Sequence, residues 1–169
     1  MNARAVQDDR DDCAPLIAAG LFLGAGLGGL IDGIVFHQIL QWHHMLSSRI
    51  PPVTLVTANY NLIWDGLFHA VTWTFVAVGV ALLFRAGRRR AMPWSGRFLL
   101  GAMLAGWGLF DIVEGVIDHL LLGVHHVRSG PDLVVWDLGF LIFGAALMLS
   151  GAAIACVPPE VRSGRRAAR

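Results

Sequence analysis

The chain's seven histidines, His37, His43, His44, His69, His119, His125 and His126, stand in or beside stretches that are otherwise strongly apolar. Asp32, Asp65, Asp111, Glu114, Asp118 and Asp137 share those stretches, together with Asn61. An ionisable side chain at membrane depth costs at least about 2.5–3.5 kcal/mol, so such groups turn inward and are neutralised by partners. The chain has no lysine, and no arginine lies among these residues inside the apolar stretches. Neutralisation is therefore left to protons, to imidazolium or to a bound cation. Imidazole and carboxylate are the usual ligands of zinc, iron and oxidised copper, and a carboxylate commonly holds the second nitrogen of a metal-bound histidine. A transition-metal site is the chemistry these residue types favour. His37, His69, His119, Asp32, Asp65 and Glu114 are its central candidates, followed by His44, His126 and Asp137. Glu114 and Asp118 are candidate general bases beside it. Soft Cu(I) is disfavoured, because Met45 is the one thioether near the cluster and Cys13 and Cys156 are remote in sequence.

Two other classes fit the same residues. One is a proton or ion conductor built on an Asp/Glu/His relay. The other is a haem binder with axial histidines from facing helices. Within the metal class, an enzyme and a metal-handling factor stay open alike. For the doublets His43-His44 and His125-His126, solvated interfacial histidines are the competing reading. For His69 it is a core histidine bonded to a nearby carbonyl or to Asp65.

At about 100° per residue, helical geometry groups Asn61, Asp65 and His69 on one face and Asp111, Glu114 and Asp118 on another. His37 aligns with His44, and His119 with His126. Asp32 falls about 140° from His37 on an ideal helix and aligns instead with His43, about 16 Å further along. Either the polar interior is wide enough for both stripes, or the helices are distorted near Gly33 and Gly115.

Sliding the sequence against itself reveals an internal repeat. At an offset of 82, Gly24-Ala25-Gly26 meets Gly106-Trp107-Gly108, Asp32-Gly33 meets Glu114-Gly115, His37 meets His119, and His43-His44 meets His125-His126. Trp64-Asp65-Gly66-Leu67-Phe68 resembles Trp136-Asp137-Leu138-Gly139-Phe140 at a different offset. The repeating unit is a helical hairpin. Two copies in the same orientation imply a pseudo-two-fold axis along the membrane normal, across which equivalent residues face one another.

The elements that must position these groups follow from composition. Of 169 residues, 56% are hydrophobic and 15% charged, with mean hydropathy +0.61, whereas soluble domains are about one-quarter charged. A soluble globule is excluded, and the near-neutral charge of +1 gives nucleic-acid binding no support. Four stretches are each long enough to cross a bilayer of about 30 Å. The expected fold is all-α: an integral membrane four-helix bundle of two tandem hairpins, with helices over about 15–44, 59–84, 98–122 and 133–157. Residues 1–14 and 158–169 are expected to form cytoplasmic tails around a transmembrane domain at 15–157.

Arg85, Arg88, Arg89, Arg90 and Arg97 fill the second connection, and Arg162, Arg165, Arg166 and Arg169 the C-terminal tail. The other connections hold only Arg49 and Arg128, so the positive-inside rule puts both termini in the cytoplasm. The histidine cluster then opens to the outside. The charged start, Arg4 to Asp12, does not resemble a cleavable signal. No disulfide is expected between Cys13 and Cys156 near the cytoplasmic face. Gly20, Gly24 and Gly28 form a small-residue ridge suited to an internal contact or to a homo-oligomer. Trp42, Trp64, Trp107 and Trp136 read as interfacial or packing residues.

The run Gly28 to Met45 (GGLIDGIVFHQILQWHHM), with Asn61 to His69 (NLIWDGLFH), resembles the bacterial membrane proteins grouped as domain of unknown function 2243. The likeness covers nearly all of the chain outside its tails. It implies a small multi-pass protein of the bacterial inner membrane and no particular activity.

Overall fold

The computed structural model describes residues 3–88 and 94–156, the side chains of residues 3–13 and of Cys156 excepted. Helix α1 spans Ala3–Asp32 and continues into a π-helical segment, Gly33–Ile39. Helix α2 spans Leu55–Gly87. Helix α3 spans Gly96–Glu114 and continues into a second π segment, Gly115–Leu121. Helix α4 spans Leu133–Cys156. No strand occurs among the described residues. Ala14–Ile39, Leu55–Gly87, Gly96–Leu121 and Leu133–Ala155 are each long and apolar enough to cross a membrane.

The helix starts have local causes. Thr54 and Thr57 cap α2 reciprocally, the Thr54 hydroxyl accepting from Thr57 N at 3.2 Å and the Thr57 hydroxyl from Thr54 N at 3.1 Å. The Ser95 hydroxyl accepts from Phe98 N at the start of α3. Helix α1 begins at Ala3, ahead of the candidate span, which starts at Ala14. One expected boundary needs correction: the first helix ends at Ile39 rather than at His44. The cause of the early end is a widening ladder, in which Leu40 N bonds Val35 O and Trp42 N bonds Phe36 O. Gln41 then takes a left-handed conformation (φ 50°), as Gly123 does (φ 54°) at the same place after α3. The expected tail at 158–169, most of the arginines that set the orientation, and the side chains of Cys13 and Cys156 lie outside the described residues.

Helix α1 packs on α2 and α3, and α3 packs on α4. The membrane windows of the first and third spans are 44% and 39% buried, against 11% for the second and fourth, so α1 and α3 form the inner pair. Their approach is set by glycine. A Cβ on Gly24 would meet the Met103 carbonyl, and one on Gly106 would meet that of Leu21. Gly26 and Gly108 likewise admit the backbones of α2 and α4. The glycine ridge of α1 is thus consumed inside the protein, which corrects its reading as a surface for a second copy.

Candidate metal centre

The two π segments settle the angular conflict between Asp32 and His37. Hydrogen bonds spanning five residues bring side chains five apart onto one face, where an α-helix would separate them by about 140°. Asp32 Oδ2 thus lies 3.5 Å from His37 Nε2, and Glu114 Oε1 lies 3.5 Å from His119 Nε2. Both π segments begin at a glycine, Gly33 and Gly115.

Beyond the π segments the chain turns back over the bundle and delivers His43 and His125 to the same place. His43 and His125 stack with ring centroids 4.7 Å apart. His37 lies edge-on to His43 at 4.5 Å, and His119 edge-on to His125 at 4.8 Å. His37, His43, His119, His125, Asp32 and Glu114 are all buried. Two sets of three, His37 with His43 and His125, and Glu114 with His119 and His125, each offer ligand atoms within 4.8 Å of one another.

Three of the four rings in this cluster are anchored from outside through a hydrogen bond at Nδ1, and the fourth, His119, only faces a carboxylate there, its Nδ1 making no hydrogen bond. His37 Nδ1 donates to Asp65 Oδ1 at 3.0 Å, and His119 Nδ1 faces Asp137 Oδ1 at 3.4 Å. His43 Nδ1 donates to the Val127 carbonyl at 2.7 Å, and His125 Nδ1 to the Met45 carbonyl at 3.2 Å. A ring that donates through Nδ1 presents Nε2 as its remaining site, and here all four Nε2 atoms turn inward. Those of His37, His43 and His119 have no hydrogen-bond partner, and neither have Asp32 Oδ2 and Glu114 Oε2. His125 Nε2 lies 3.0 Å from Glu114 Oε1, so a neutral ring would set a lone pair against a carboxylate unless a proton or a cation lies between. His43, in the connection beyond the first span, is pushed down to about 2 by burial and then by His125 and His37. It stays neutral, with a lone pair available, at any ordinary pH.

Asp65 and Asp137 form the outer layer. Asp65 also accepts from His44 Nδ1 at 2.6 Å and Met45 N at 2.9 Å, and Asp137 from His126 Nδ1 at 2.6 Å and Val127 N at 3.1 Å. His44 and His126 are half-buried and hold these carboxylates instead of joining the centre. His69 stands apart. Its Nδ1 donates to the Asp65 carbonyl one turn back in its own helix, at 2.7 Å, which is the core-histidine arrangement. Asp118 is half-buried and joins neither set of three. The sequence order of candidates left out His43 and His125, the two rings nearest the middle. Their signal was the repetition of the doublets His43-His44 and His125-His126 at the offset of 82, and extending the first helix to His44 set His44 rather than His43 in line with His37.

A profile of the membrane protein family DUF2243, described as "Predicted membrane protein", matches residues 19–157. The chain belongs to this family. The DUF2243 match takes in both π segments, all four inner histidines and both outer aspartates. No curated protein and no solved structure matches the chain.

Proposed function

We propose that the protein holds a transition metal ion, zinc, iron or copper, at the seam between its two hairpins and acts as a metal-dependent enzyme or metal-handling factor. The observation that carries this reading is that the buried Nε2 atoms of His37, His43 and His119 and one oxygen each of Asp32 and Glu114 lack partners, with His125 Nε2 against Glu114 and no lysine or arginine among them. Leaving so many polar atoms unpaired in a buried site costs about 1–3 kcal/mol each. A cation removes that cost and sits between His125 Nε2 and Glu114 as well. His37, His43 and His125, or Glu114, His119 and His125, would hold the ion, with Asp32 beside His37, while Asp65 fixes the orientation of His37 and Asp137 faces His119 as outer carboxylates do in metalloproteins. When bound, the ion would supply Lewis acidity or a redox couple. Glu114 is the nearest candidate base, and Asp118 stands in the next turn.

A cavity of about 610 Å³ at the loop end, lined by Trp42, His43, His44, Pro51 and Pro52, gives the centre an aqueous approach. The distribution of arginines supports a multi-pass protein of the bacterial inner membrane with both termini in the cytoplasm, so this approach opens outward. Haem fits less well, because His43 and His125 stack side by side and do not oppose one another across an iron.

The test is elemental analysis of protein purified in detergent. Wild type and His69→Ala should carry stoichiometric metal, and His43→Ala and His125→Ala should lose it. Wild type free of metal and unable to be reloaded refutes the reading. The contact between His125 and Glu114 then supports proton conduction, measured as pH change in proteoliposomes.

A further inference from the structure

A second cleft, of about 350 Å³, runs between α1 and α4 over α3, within the membrane-spanning part of the fold. Aromatic side chains wall it, among them Phe36, Trp42, Trp107, Trp136, Phe140 and Phe143. Its polar features are two carboxylates, Asp32 and Asp111. Asp111 is 1% exposed and neither of its oxygens makes a well-formed hydrogen bond, the Trp107 side chain being its neighbouring donor, and Asp32 Oδ2 makes none either.

The cleft arises where the two hairpins differ. At an offset of 82, Gly28-Gly29 corresponds to Phe110-Asp111. In the first hairpin's packing the Phe110 ring and Thr72 fill the space over Gly29. Across the bundle Gly28 stands where Phe110 does, with the Trp107 ring packed directly on it as one wall of the cleft, and Asp111 stands where Gly29 does, which puts a carboxyl in the lining. The second of these differences supplies the one acceptor of the cleft that the histidine cluster does not share.

We propose that this cleft binds a membrane-dissolved ring compound of the hydroquinone type, which enters from the bilayer between α1 and α4 and donates a hydroxyl to Asp111. Flat walls favour a flat guest, since aromatic pairs gain most when offset-stacked or edge-on. A lipid acyl chain would fill the volume but leave the Asp111 oxygens without a well-formed hydrogen bond, a costly state in an apolar site. The volume lies in the range of small-molecule pockets. Asp32 belongs both to this cleft and to the histidine cluster, so a bound ring lies against the centre. That adjacency gains a chemical meaning only if the metal reading holds, whereas binding itself does not need the metal.

The experiment is titration of the purified protein in detergent with an alkyl-substituted hydroquinone and with its dimethyl ether, read by tryptophan emission, since Trp42, Trp107 and Trp136 line the cleft. The hydroquinone should quench saturably and bind at least about tenfold more tightly than the ether, as expected for a buried hydrogen bond to a carboxyl group. Asp111→Leu should bring the two ligands to equal affinity. Gly139→Phe, whose first added carbon has no neighbour within 4 Å, should fill the cleft and abolish saturable quenching in a protein that still elutes as wild type. Equal binding of the two ligands to wild type, or unchanged binding to Gly139→Phe, overturns the proposal. Chelator-treated protein separates the two readings: quenching that persists in protein that never holds metal keeps the cleft and removes the centre, and stoichiometric metal without quenching does the reverse.

Discussion

Removing the Asp65 carboxylate by Asp65→Ala strands three donors at once: His37 Nδ1, His44 Nδ1 and Met45 N. The His44 side chain is 16% exposed and can turn to water, but that of His37 is 0% exposed. Two donors left unsatisfied at about 1–3 kcal/mol each give a loss of about 4 kcal/mol, in line with breaking a buried charged pair. At about 2–4 °C per kcal/mol for a chain of this size, Tm falls by about 8–16 °C. The corresponding Asp137→Ala should cost about half as much. The contact of Asp137 with His119 is already stretched to 3.4 Å and His126 is 25% exposed, which leaves the Val127 amide as its one well-bonded buried donor. Thermal denaturation in detergent, followed by tryptophan emission on metal-stripped protein, measures both. Metal titration of the same variants should show a loss of about 10–100-fold in affinity. An Asp137→Ala penalty equal to or above that of Asp65→Ala, or shifts under about 2 °C in both, would refute the reasoning that outer acceptors hold the rings in place.

Gln41 occupies with a side chain the left-handed turn that Gly123 takes without one. Gln41→Gly should therefore raise stability by about 1 kcal/mol and Gly123→Ala lower it by about 1–2 kcal/mol, read from the same melts. Gly24→Val drives a branched side chain into the Met103 backbone, so it should cost about 3 kcal/mol or more and remove folded protein from detergent extracts. His43 titrates near its ordinary value when unfolded and only at about 2 when folded. The unfolded chain thus binds one more proton over that interval, and His43 makes stability fall with acidification below about pH 6.5, by about 1.4 kcal/mol per pH unit. Comparing the pH dependence of Tm in wild type and His43→Gln isolates this contribution, which is absent if the two slopes coincide.

The four spans and the hairpin order were legible from hydropathy, because a lipid-facing surface leaves little freedom in composition. Helix ends were not. Extending a 3.6-residue period to His44 chose His44 and His126 as ligands, whereas the ladder opens at Val35 and Ile117 and the chain leaves the helix within a few residues. The spacing of five between Asp32 and His37, and again between Glu114 and His119, was the visible trace of the π segments. It read as a conflict because an α-helix cannot reconcile it. His69 has the same residue type and the same i, i+4 relation to an aspartate as a working pair, and only tertiary structure shows that its ring is satisfied by its own helix.

The ties between the hairpins are crossed. His43 is held by the Val127 carbonyl, His125 by the Met45 carbonyl, Ser48 N bonds Val124 O, and Ser129 N bonds Trp42 O. Each half thus supplies the anchor for a ring carried by the other, so His43 and His125 are not oriented by their own hairpins. A lone hairpin would have to find a second copy by diffusion in the bilayer before any centre existed. Joining the two in one chain replaces that encounter by a high effective concentration, and it allows the halves to differ, Gly28-Gly29 standing in one where Phe110-Asp111 stands in the other.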